Sequence, residues 1–281
     1  MRNALSVDVE DWFQVGAFEK VIARDAWETL PRRVEINTDR VLGLFDAAGV
    51  KATFFTLGWV AKRHPALIRR IADAGHEIAS HGWDHRRVFT LSEAEFRADL
   101  DKAHKAIEDA GGQSPTGYRA PSFSIDQRTP WAHPILAEQG YVYSSSVAPI
   151  AHDHYGWRDS PRFAWAPVPG SALIELPVTT VALGNRRFAA GGGGFFRLLP
   201  YRFSSWAIGR VNTRDQRPAV FYFHPWEVDP DQPRVNDATV RSKLRHYTNL
   251  DVMEAKLLKL LRDHRWGRTD EVAAIERARL Q

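Results

Sequence analysis

The chain has 281 residues, of which 44% are hydrophobic and 26% are charged, with a formal net charge of +4 and no cysteine. These proportions are those of a folded globular protein, and the missing thiols exclude disulfides, cysteine nucleophiles and thiolate metal sites. We expect no nucleic-acid partner, because basic residues are scattered among acids and no nucleic-acid-binding motif is present. Attraction to an anionic glycan or lipid headgroup stays open.

The N-terminal residues do not resemble a secretory signal, and no apolar run is long enough to be a transmembrane segment. We therefore expect a cytoplasmic protein, although a processed secreted protein would have the same pattern.

Short apolar runs alternate with helical patterns, and this alternation predicts an α/β fold with a parallel sheet. One helix has a clear beginning at Ser92 and Glu95, which form a capping-box pattern, and Asn37 is the predicted N-cap of an earlier helix. In chain order we predict a strand at residues 4–9, a helix at 38–48, a strand at 52–56, a helix at 65–74, a strand at 76–80, a helix from 92 to 111, a strand at 117–120, a helix at 129–139, strands at 141–145 and 173–178, a helix at 201–211, a strand at 219–223 and a helix at 250–264.

Seven strands with crossovers predict a distorted (β/α)7 barrel, with an open doubly wound sheet as the alternative. We expect residues 1–281 to form a single domain. In both folds the carboxyl ends of the parallel strands share one rim, where active sites assemble. Acids, histidines and an arginine follow four of these predicted ends, and we expect them to meet: Asp8, Glu10, Asp11, His81, His85, Arg119 and His224.

His81 and His85 have the spacing of two residues on one face of a helical turn, so both imidazoles could bind one metal ion. The spacing alone is weak evidence, because it also arises by chance. Two histidines and one carboxylate would leave coordination positions for water and substrate, as catalytic zinc requires. Glu10 and Asp11 are both candidates for that carboxylate.

Asp8 lies between Val7 and Val9 in an apolar strand, where a buried carboxylate is costly unless it is paired. Arg119, from another strand end, is the expected partner and would keep the acid ionised and oriented. One acid of the cluster could then deprotonate the attacking water. Exposed loop acids without a catalytic role are the alternative.

His224 ends an apolar strand, and this terminal position favours a general acid over a structural histidine. The run Gly191–Gly194 lacks the ending of a phosphate-binding loop, so it is interpreted as a substrate-side loop or a plain linker. Several aromatic residues near these motifs could stack on sugar rings, with core packing as the alternative for each: Trp12, Trp83, Phe123, Trp157 and Trp226.

These motifs together resemble the NodB-type polysaccharide deacetylase family, carbohydrate esterase family 4, over residues 4–126 and again over 219–227. The resemblance implies a distorted (β/α)7 barrel, a divalent metal that is usually zinc, and hydrolysis of N-acetyl groups of an amino-sugar polysaccharide. It also implies the residue roles: Asp8 as base, Glu10 or Asp11 with His81 and His85 as metal ligands, His224 as general acid, and a groove lined by Arg119, Pro121 and Phe123.

The family usually carries an acid near the fifth strand that tunes the acid histidine, and Tyr143–Ser146 offers none. Glu227 and Asp229 are nearby candidates for that role. Three segments resemble a narrower group from bacterial exopolysaccharide and exosortase loci, with a C-terminal extension to about residue 270: Asp8–Phe13, Gly194–Tyr201 and His224–Glu227.

That narrower resemblance implies an N-acetylated exopolysaccharide, or its lipid-linked precursor at a membrane surface, as the substrate. Two alternatives remain open from the sequence. One is a metal-dependent amidohydrolase of a small non-sugar amide, and the other is a catalytically inactive glycan-binding protein.

Overall fold

The computed structural model describes residues 1–151 and 155–281, and its centre is a parallel sheet of eight strands in the order β10-β1-β2-β3-β4-β5-β6, with β9 also paired to β1. The strands of this sheet are β1 (Asn3–Val9), β2 (Thr53–Thr56), β3 (Glu77–Ser80), β4 (Gly117–Tyr118), β5 (Tyr143–Ser144), β6 (Ile174–Glu175), β9 (Val220–Phe223) and β10 (Trp266–Gly267). A separate antiparallel hairpin is formed by β7 (Thr180–Leu183) and β8 (Arg186–Ala189).

Helices cover the outside of the sheet. They are α1 (Val34–Ala48), α2 (Gly58–Arg63), α3 (Pro65–Asp73), α4 (Glu93–Gly111), α5 (Ala132–Glu138), α6 (Gly193–Leu198), α7 (Tyr201–Thr213), α8 (Val240–Tyr247), α9 (Met253–Asp263) and α10 (Thr269–Leu280). None of the helices in the described residues is both long enough and apolar enough to cross a membrane.

The sheet curves into an incomplete barrel, which confirms the predicted distorted (β/α)7 fold. Between β6 and β9, no ladder of strand pairs joins the described residues. Instead the Thr179 amide donates to the Val220 carbonyl at 3.2 Å, and Gly192 forms an isolated parallel bridge to Tyr222. The barrel is therefore closed on this side by irregular backbone.

Successive residues of each strand alternate between the barrel interior and the helix layer. On β2, Phe54 packs in the large outer core with residues of α1 and α9, such as Phe45 and Leu257. Its neighbour Phe55 packs instead in a second cluster with Tyr143 and Val220 from other strands. Both faces of each strand are therefore buried, and for this reason the short strands are continuous apolar runs in the sequence.

All seven predicted strands are present, although several are shorter than expected. The capping box is confirmed, since the Glu95 amide donates to Ser92 Oγ at 3.3 Å and the Ser92 amide donates to Glu95 Oε2 at 2.8 Å. The prediction for Asn37 is wrong, because α1 begins at Val34 and Asn37 is buried within it. Its side-chain amide donates to Asp229 Oδ2 at 3.0 Å, a contact between distant parts of the chain.

The C-terminal strand β10 and helix α10 were not predicted, and they close the lower end of the barrel. The Thr269 amide donates to Thr53 Oγ1 at 2.7 Å, and the Asp270 amide donates to Glu77 Oε2 at 3.2 Å. The Tyr143 hydroxyl donates to the other oxygen of Glu77 at 2.8 Å. These hydrogen bonds satisfy a buried carboxyl group at the end of the barrel opposite the predicted site.

Candidate active site

The strand register brings the predicted polar residues to one level of the rim. Asp8 pairs with Phe55, Ser80 pairs with Tyr118, and Val7 pairs with Phe223. His81, Arg119 and His224 each follow the last paired residue of their strands, so all three emerge beside Asp8. The predicted convergence of four strand ends is observed.

Asp8 and Arg119 form a buried ion pair inside the barrel mouth. Arg119 Nη1 lies 2.6 Å from Asp8 Oδ1 and donates to Ser6 Oγ at 2.7 Å. The guanidinium group lies 4.0 Å from the ring centroid of Phe55, and neither charged side chain is more than 4% exposed. Charge-assisted hydrogen bonds in such a site fix the carboxylate in position.

Arg119 is also held by Ser145, a residue that the sequence analysis did not identify as part of the site. Arg119 Nε donates to the Ser145 carbonyl at 3.0 Å, and Nη2 donates to Ser145 Oγ at 2.9 Å. The next two backbone amides, of Ser146 and Val147, donate to buried Glu175 Oε1 at 2.7 and 2.9 Å. The segment after β5 is thus anchored by Glu175, and through Ser145 it orients Arg119.

Glu10, His81 and His85 form the group in the described residues that could hold a metal ion. Each offers one ligand atom, and these atoms lie within 4.8 Å of one another, with all three residues buried. His85 Nε2 is 3.1 Å from Glu10 Oε2. Nitrogen and carboxylate donors in this number suit a catalytic zinc ion or a similar divalent metal.

Both histidines of this group are electrostatically suited to be neutral ligands. Burial lowers the pKa of His81 to about 4. Burial is also the main reason why the pKa of His85 is well below its usual value, and nearby positive groups such as His224 add to the effect. His81 Nδ1 lies 2.8 Å from the Arg119 carbonyl oxygen. A proton on Nδ1 donates to this carbonyl and leaves the Nε2 lone pair free for a metal.

Asp11 was an alternative to Glu10 as the metal ligand, and the structure corrects this. Asp11 Oδ2 accepts hydrogen bonds from the backbone amides of Arg33 at 2.8 Å and Val34 at 3.1 Å. Asp11 Oδ1 accepts from the Trp12 amide at 2.9 Å. The carboxylate therefore points away from the histidines and caps the beginning of α1.

His224 lies on the opposite side of Glu10 from His85. His224 Nε2 is 3.1 Å from Glu10 Oε1, and Nδ1 is 2.8 Å from Glu227 Oε1. Burial by itself lowers the pKa of His224, but the negative charges of Glu10 and Glu227 outweigh it and raise this pKa to about 9. Each ring nitrogen of His224 thus faces a carboxylate oxygen, an arrangement that favours the protonated ring.

The acid that stabilises this cation is Glu227, one of the two candidates from the sequence. Arg197 Nε donates to Glu227 Oε2 at 2.6 Å, and both side chains are at most 1% exposed. Burial opposes ionisation of Glu227, but Arg197 and His224 hold its pKa at about 2. Asp229 instead pairs with Arg33. We call these contacts the Arg197–Glu227–His224 network, and no sequence signal identified Arg197.

The four-glycine run packs tightly beside this network. A β-carbon on Gly193 would lie 2.2 Å from Glu227 Oε1, and one on Gly191 would lie 2.3 Å from the Val220 carbonyl oxygen. Any larger side chain at Gly193 would displace the carboxylate that holds His224. Gly191, Gly192 and Gly193 are therefore closely packed in the support of the site, whereas a β-carbon on Gly194 would meet no atom within 4 Å.

The predicted sugar-stacking residues lie in different environments. Trp12 is 3% exposed and its indole donates to the Pro31 carbonyl, so its assignment to substrate binding is corrected to core packing. Trp226 is also buried, and it stacks at 5.0 Å on His224. Pro121 and Phe123 are buried beside Arg119. Trp83 is partly exposed, and Lys102 Nζ lies 3.9 Å from the centroid of its ring.

Fold and site together define a class of protein: an α/β barrel whose rim combines a carboxylate–histidine–histidine group, a buried acid held by arginine, and a protonated histidine. The sequence pattern of the family described as Polysaccharide deacetylase matches residues 26–143, and that of Domain of unknown function (DUF3473) matches residues 145–274. The first of these matches covers less than half of the chain, and it shows a polysaccharide deacetylase segment at residues 26–143. Strands from both segments pair in one sheet.

Two bacterial peptidoglycan deacetylases each match less than half of the chain. The chain is 30% identical over 113 residues to peptidoglycan deacetylase of Helicobacter pylori, which covers 40% of this chain and 38% of that protein. It is 35% identical over 91 residues to peptidoglycan-N-acetylglucosamine deacetylase PgdA of Listeria monocytogenes, covering 32% and 20% respectively. The chain thus spans less than half the length of these relatives.

Solved structures match over nearly the whole chain. A Mycobacterium smegmatis protein assigned to the polysaccharide deacetylases aligns with a TM-score of 0.60 and 22% identity, covering 99% of this chain and 91% of that one. Puue allantoinase aligns with a TM-score of 0.61 and 15% identity, covering 98% and 89%. At these identities the likeness shows the fold alone.

Proposed function

We propose that this protein is a metal-dependent deacetylase that hydrolyses N-acetyl groups of an amino-sugar polysaccharide. The observation that carries the proposal is the meeting of Glu10, His81 and His85 within 4.8 Å, with Asp8 and a protonated His224 beside them. Amide hydrolysis needs an electrophile, a base and an acid, and this rim offers residues for each. The named relatives that act on peptidoglycan support the same reaction class.

Glu10, His81 and His85 would hold the metal, which we expect to be zinc. When bound, such an ion polarises the acetyl carbonyl and lowers the pKa of a coordinated water. The donor set fits this group, because two neutral imidazoles and a buried carboxylate with a pKa raised by burial to about 7 favour a bound cation. The Arg119 carbonyl would fix the ring orientation of His81.

Asp8 is the proposed base. Its carboxylate is buried, paired with Arg119 at 2.6 Å, and close enough that its charge acts on His81 and His224. Arg119 orients the carboxylate and compensates its charge, so Asp8 can accept the proton of the attacking water. The hydroxide equivalent then adds to the acetyl carbon.

His224 is the proposed general acid. Its Nδ1 proton is engaged by Glu227, so the Nε2 proton is the one available to the site. Donation of that proton to the sugar nitrogen accompanies cleavage of the C–N bond, since an unprotonated amine is a very poor leaving group. The products are acetate and a free amino sugar.

The finer proposal concerns the substrate and its location. The resemblance of Asp8–Phe13, Gly194–Tyr201 and His224–Glu227 to an exopolysaccharide-associated group supports an N-acetylated exopolysaccharide or its lipid-linked precursor. A lipid-linked precursor would require contact with a membrane surface, in the cytoplasm if the chain lacks further targeting segments.

The decisive experiment is an assay of acetate release from N-acetylglucosamine oligomers after reconstitution with zinc, cobalt, nickel or manganese. We expect metal-dependent release by the wild-type protein, and an Asp8→Asn protein that has lost about 10²–10⁴-fold in rate while keeping its metal content. Release that is independent of metal, or loss of metal from Asp8→Asn, would contradict the assigned roles.

A further inference from the structure

Residues of the segment 234–248 line a groove, and their side chains belong neither to the metal-binding group nor to the Arg197–Glu227–His224 network. The groove has a volume of about 330 Å³ and is lined by residues 234–236, by four residues of α8 that include Tyr247, and by Thr248. Its lining combines two cations, Arg234 and Lys243, with an aromatic ring and apolar side chains.

The charges of this groove are of one sign. Lys243 Nζ donates to the Asn236 carbonyl at 2.8 Å, and the Arg234 guanidinium lies 4.3 Å from the ring centroid of Tyr247. Among the described residues that line the groove, none is an acid. Such an arrangement has electrostatic complementarity for an anion.

The groove lies close to the proposed acid. The ring centroids of Tyr247 and His246 are 4.7 Å apart. The His246 ring stacks on Trp226 with a centroid distance of 4.1 Å, and the Trp226 ring stacks on His224 with a centroid distance of 5.0 Å. Arg197 of the acid network also donates to the carbonyl of Thr248, a residue of the groove wall. The buried rings of Trp226 and His246 therefore lie between His224 and the wall of the groove.

We propose that this groove is a distal subsite for an anionic group, a carboxylate or a phosphate, carried by the glycan itself. The proposal rests on the proposed function for the identity of the glycan. Arg234 and Lys243 bind the anion, and the ring of Tyr247 with the aliphatic wall of α8 packs on an adjacent sugar face. The groove thereby favours acidic amino-sugar polymers over neutral ones.

A pair of hexasaccharides tests the subsite: one of N-acetylglucosamine alone, and one that alternates N-acetylglucosamine with glucuronate. In the double variant Arg234→Gln/Lys243→Gln we expect KM for the acidic oligomer to rise about tenfold, which corresponds to about 1.4 kcal/mol of binding free energy. We expect kcat for both oligomers, and KM for the neutral oligomer, to change by less than about twofold.

Two further variants separate binding from bulk charge and from folding. Lys259→Gln removes a positive charge at an exposed position of α9 that does not line the groove, and it should leave both KM values unchanged. Lys243→Glu keeps the Arg234–Tyr247 contact and should weaken the acidic oligomer most. An equal change in KM for both oligomers, or the same effect from Lys259→Gln, would overturn the subsite.

Direct binding makes the result independent of turnover. Calorimetry with tetragalacturonate, which has no acetyl group, should show binding by the wild-type protein and its loss in the double variant. If neither hexasaccharide releases acetate but this binding behaves as expected, the deacetylase proposal fails and the anion subsite stands. If phosphatidylglycerol vesicles, and not tetragalacturonate, bind in a manner that depends on Arg234 and Lys243, the occupant is a membrane and the glycan subsite is wrong.

Discussion

The two sides of the candidate active site keep histidine in opposite charge states. His81 and His85 are buried among groups that favour neutral imidazole, with the pKa of His81 lowered by burial to about 4. His224 is also largely buried, yet the charges of Glu10 and Glu227 raise its pKa to about 9. Burial sets the same tendency on both sides, and the neighbouring carboxylates decide the outcome.

Glu10 stands between these two environments. One of its oxygens lies 3.1 Å from His85, and the other lies 3.1 Å from His224. In the proposed reaction one side of the site therefore offers lone pairs to a metal, and the other side offers a proton to the leaving group. Pairs of titratable groups whose pKa values are driven apart mark the division of labour in acid–base catalysis.

The largest effect on activity is expected when a histidine of the neutral pair, His81 and His85, is removed. His85→Ala removes one of three metal ligands, so acetate release should fall to background. Metal affinity should fall by more than the roughly 10–100-fold typical of losing an outer-shell partner. Metal content after dialysis and acetate release measure the two effects.

His104 provides the matched control, since it lies on α4 and its ring contacts Ser114 rather than the site. His104→Ala should retain both metal and activity. Full metal content in His85→Ala would show that the ion is bound elsewhere.

Removing the cationic side should be the next largest effect. His224→Ala deletes the proposed proton donor while Glu10, His81 and His85 stay in place, so metal content should persist. The rate of amide hydrolysis should fall about 10²–10⁴-fold. An activated ester, whose leaving group needs little protonation, should be affected much less, and equal losses on both substrates would argue against an acid role.

A smaller effect is expected when the cation loses its partner. Glu227→Gln removes a charge-assisted hydrogen bond, a contact of roughly 1.5–3 kcal/mol, so the pKa of His224 should fall from about 9. This shift makes the stability of the protein depend on pH. In the metal-free wild type, the stabilisation from protonated His224 is complete below pH 6.5 and is lost as the pH rises through about 9.

NMR titration of the His224 ring, with thermal unfolding at pH 6 and pH 10, measures both consequences in metal-free protein. The double variant Arg197→Gln/Glu227→Gln controls for the buried arginine that the single change leaves unpaired. An unchanged His224 titration in Glu227→Gln would show that Glu10 alone maintains the cation.

The contrast between the two sides also explains what the sequence could predict. His81, His85 and His224 were identifiable because each follows an apolar strand, and parallel strand ends share one rim. Arg197 was not, because it lies in a six-residue helix that begins within the four-glycine run, and it reaches Glu227 only through the packing of α6 on β9. Strands β7, β8 and β10 were missed because short strands carry too little periodicity to be distinguished from loops.

Position in sequence also could not separate Glu10 from Asp11, since adjacent residues leave a strand end in opposite directions and the turn decides which faces the rim. The two acids make different contacts, since Asp11 accepts from backbone amides and Glu10 faces His85 and His224. On the proposed roles, Asp11→Ala should therefore give the smallest effect on activity. Three backbone amides lose their acceptor, those of Trp12, Arg33 and Val34, including the two at the beginning of α1.

Loss of a helix cap typically costs about 0.5–2 kcal/mol, so the free energy of unfolding should fall by about that amount while metal content stays stoichiometric. Glu10→Gln is the matched variant one position away. It removes a buried carboxylate whose pKa burial raises to about 7, so it should lose the metal without destabilising the metal-free fold. Denaturant unfolding and metal analysis of the two proteins give opposite patterns if the assignment is right. Metal loss in Asp11→Ala at full stability would reverse the roles of the two acids.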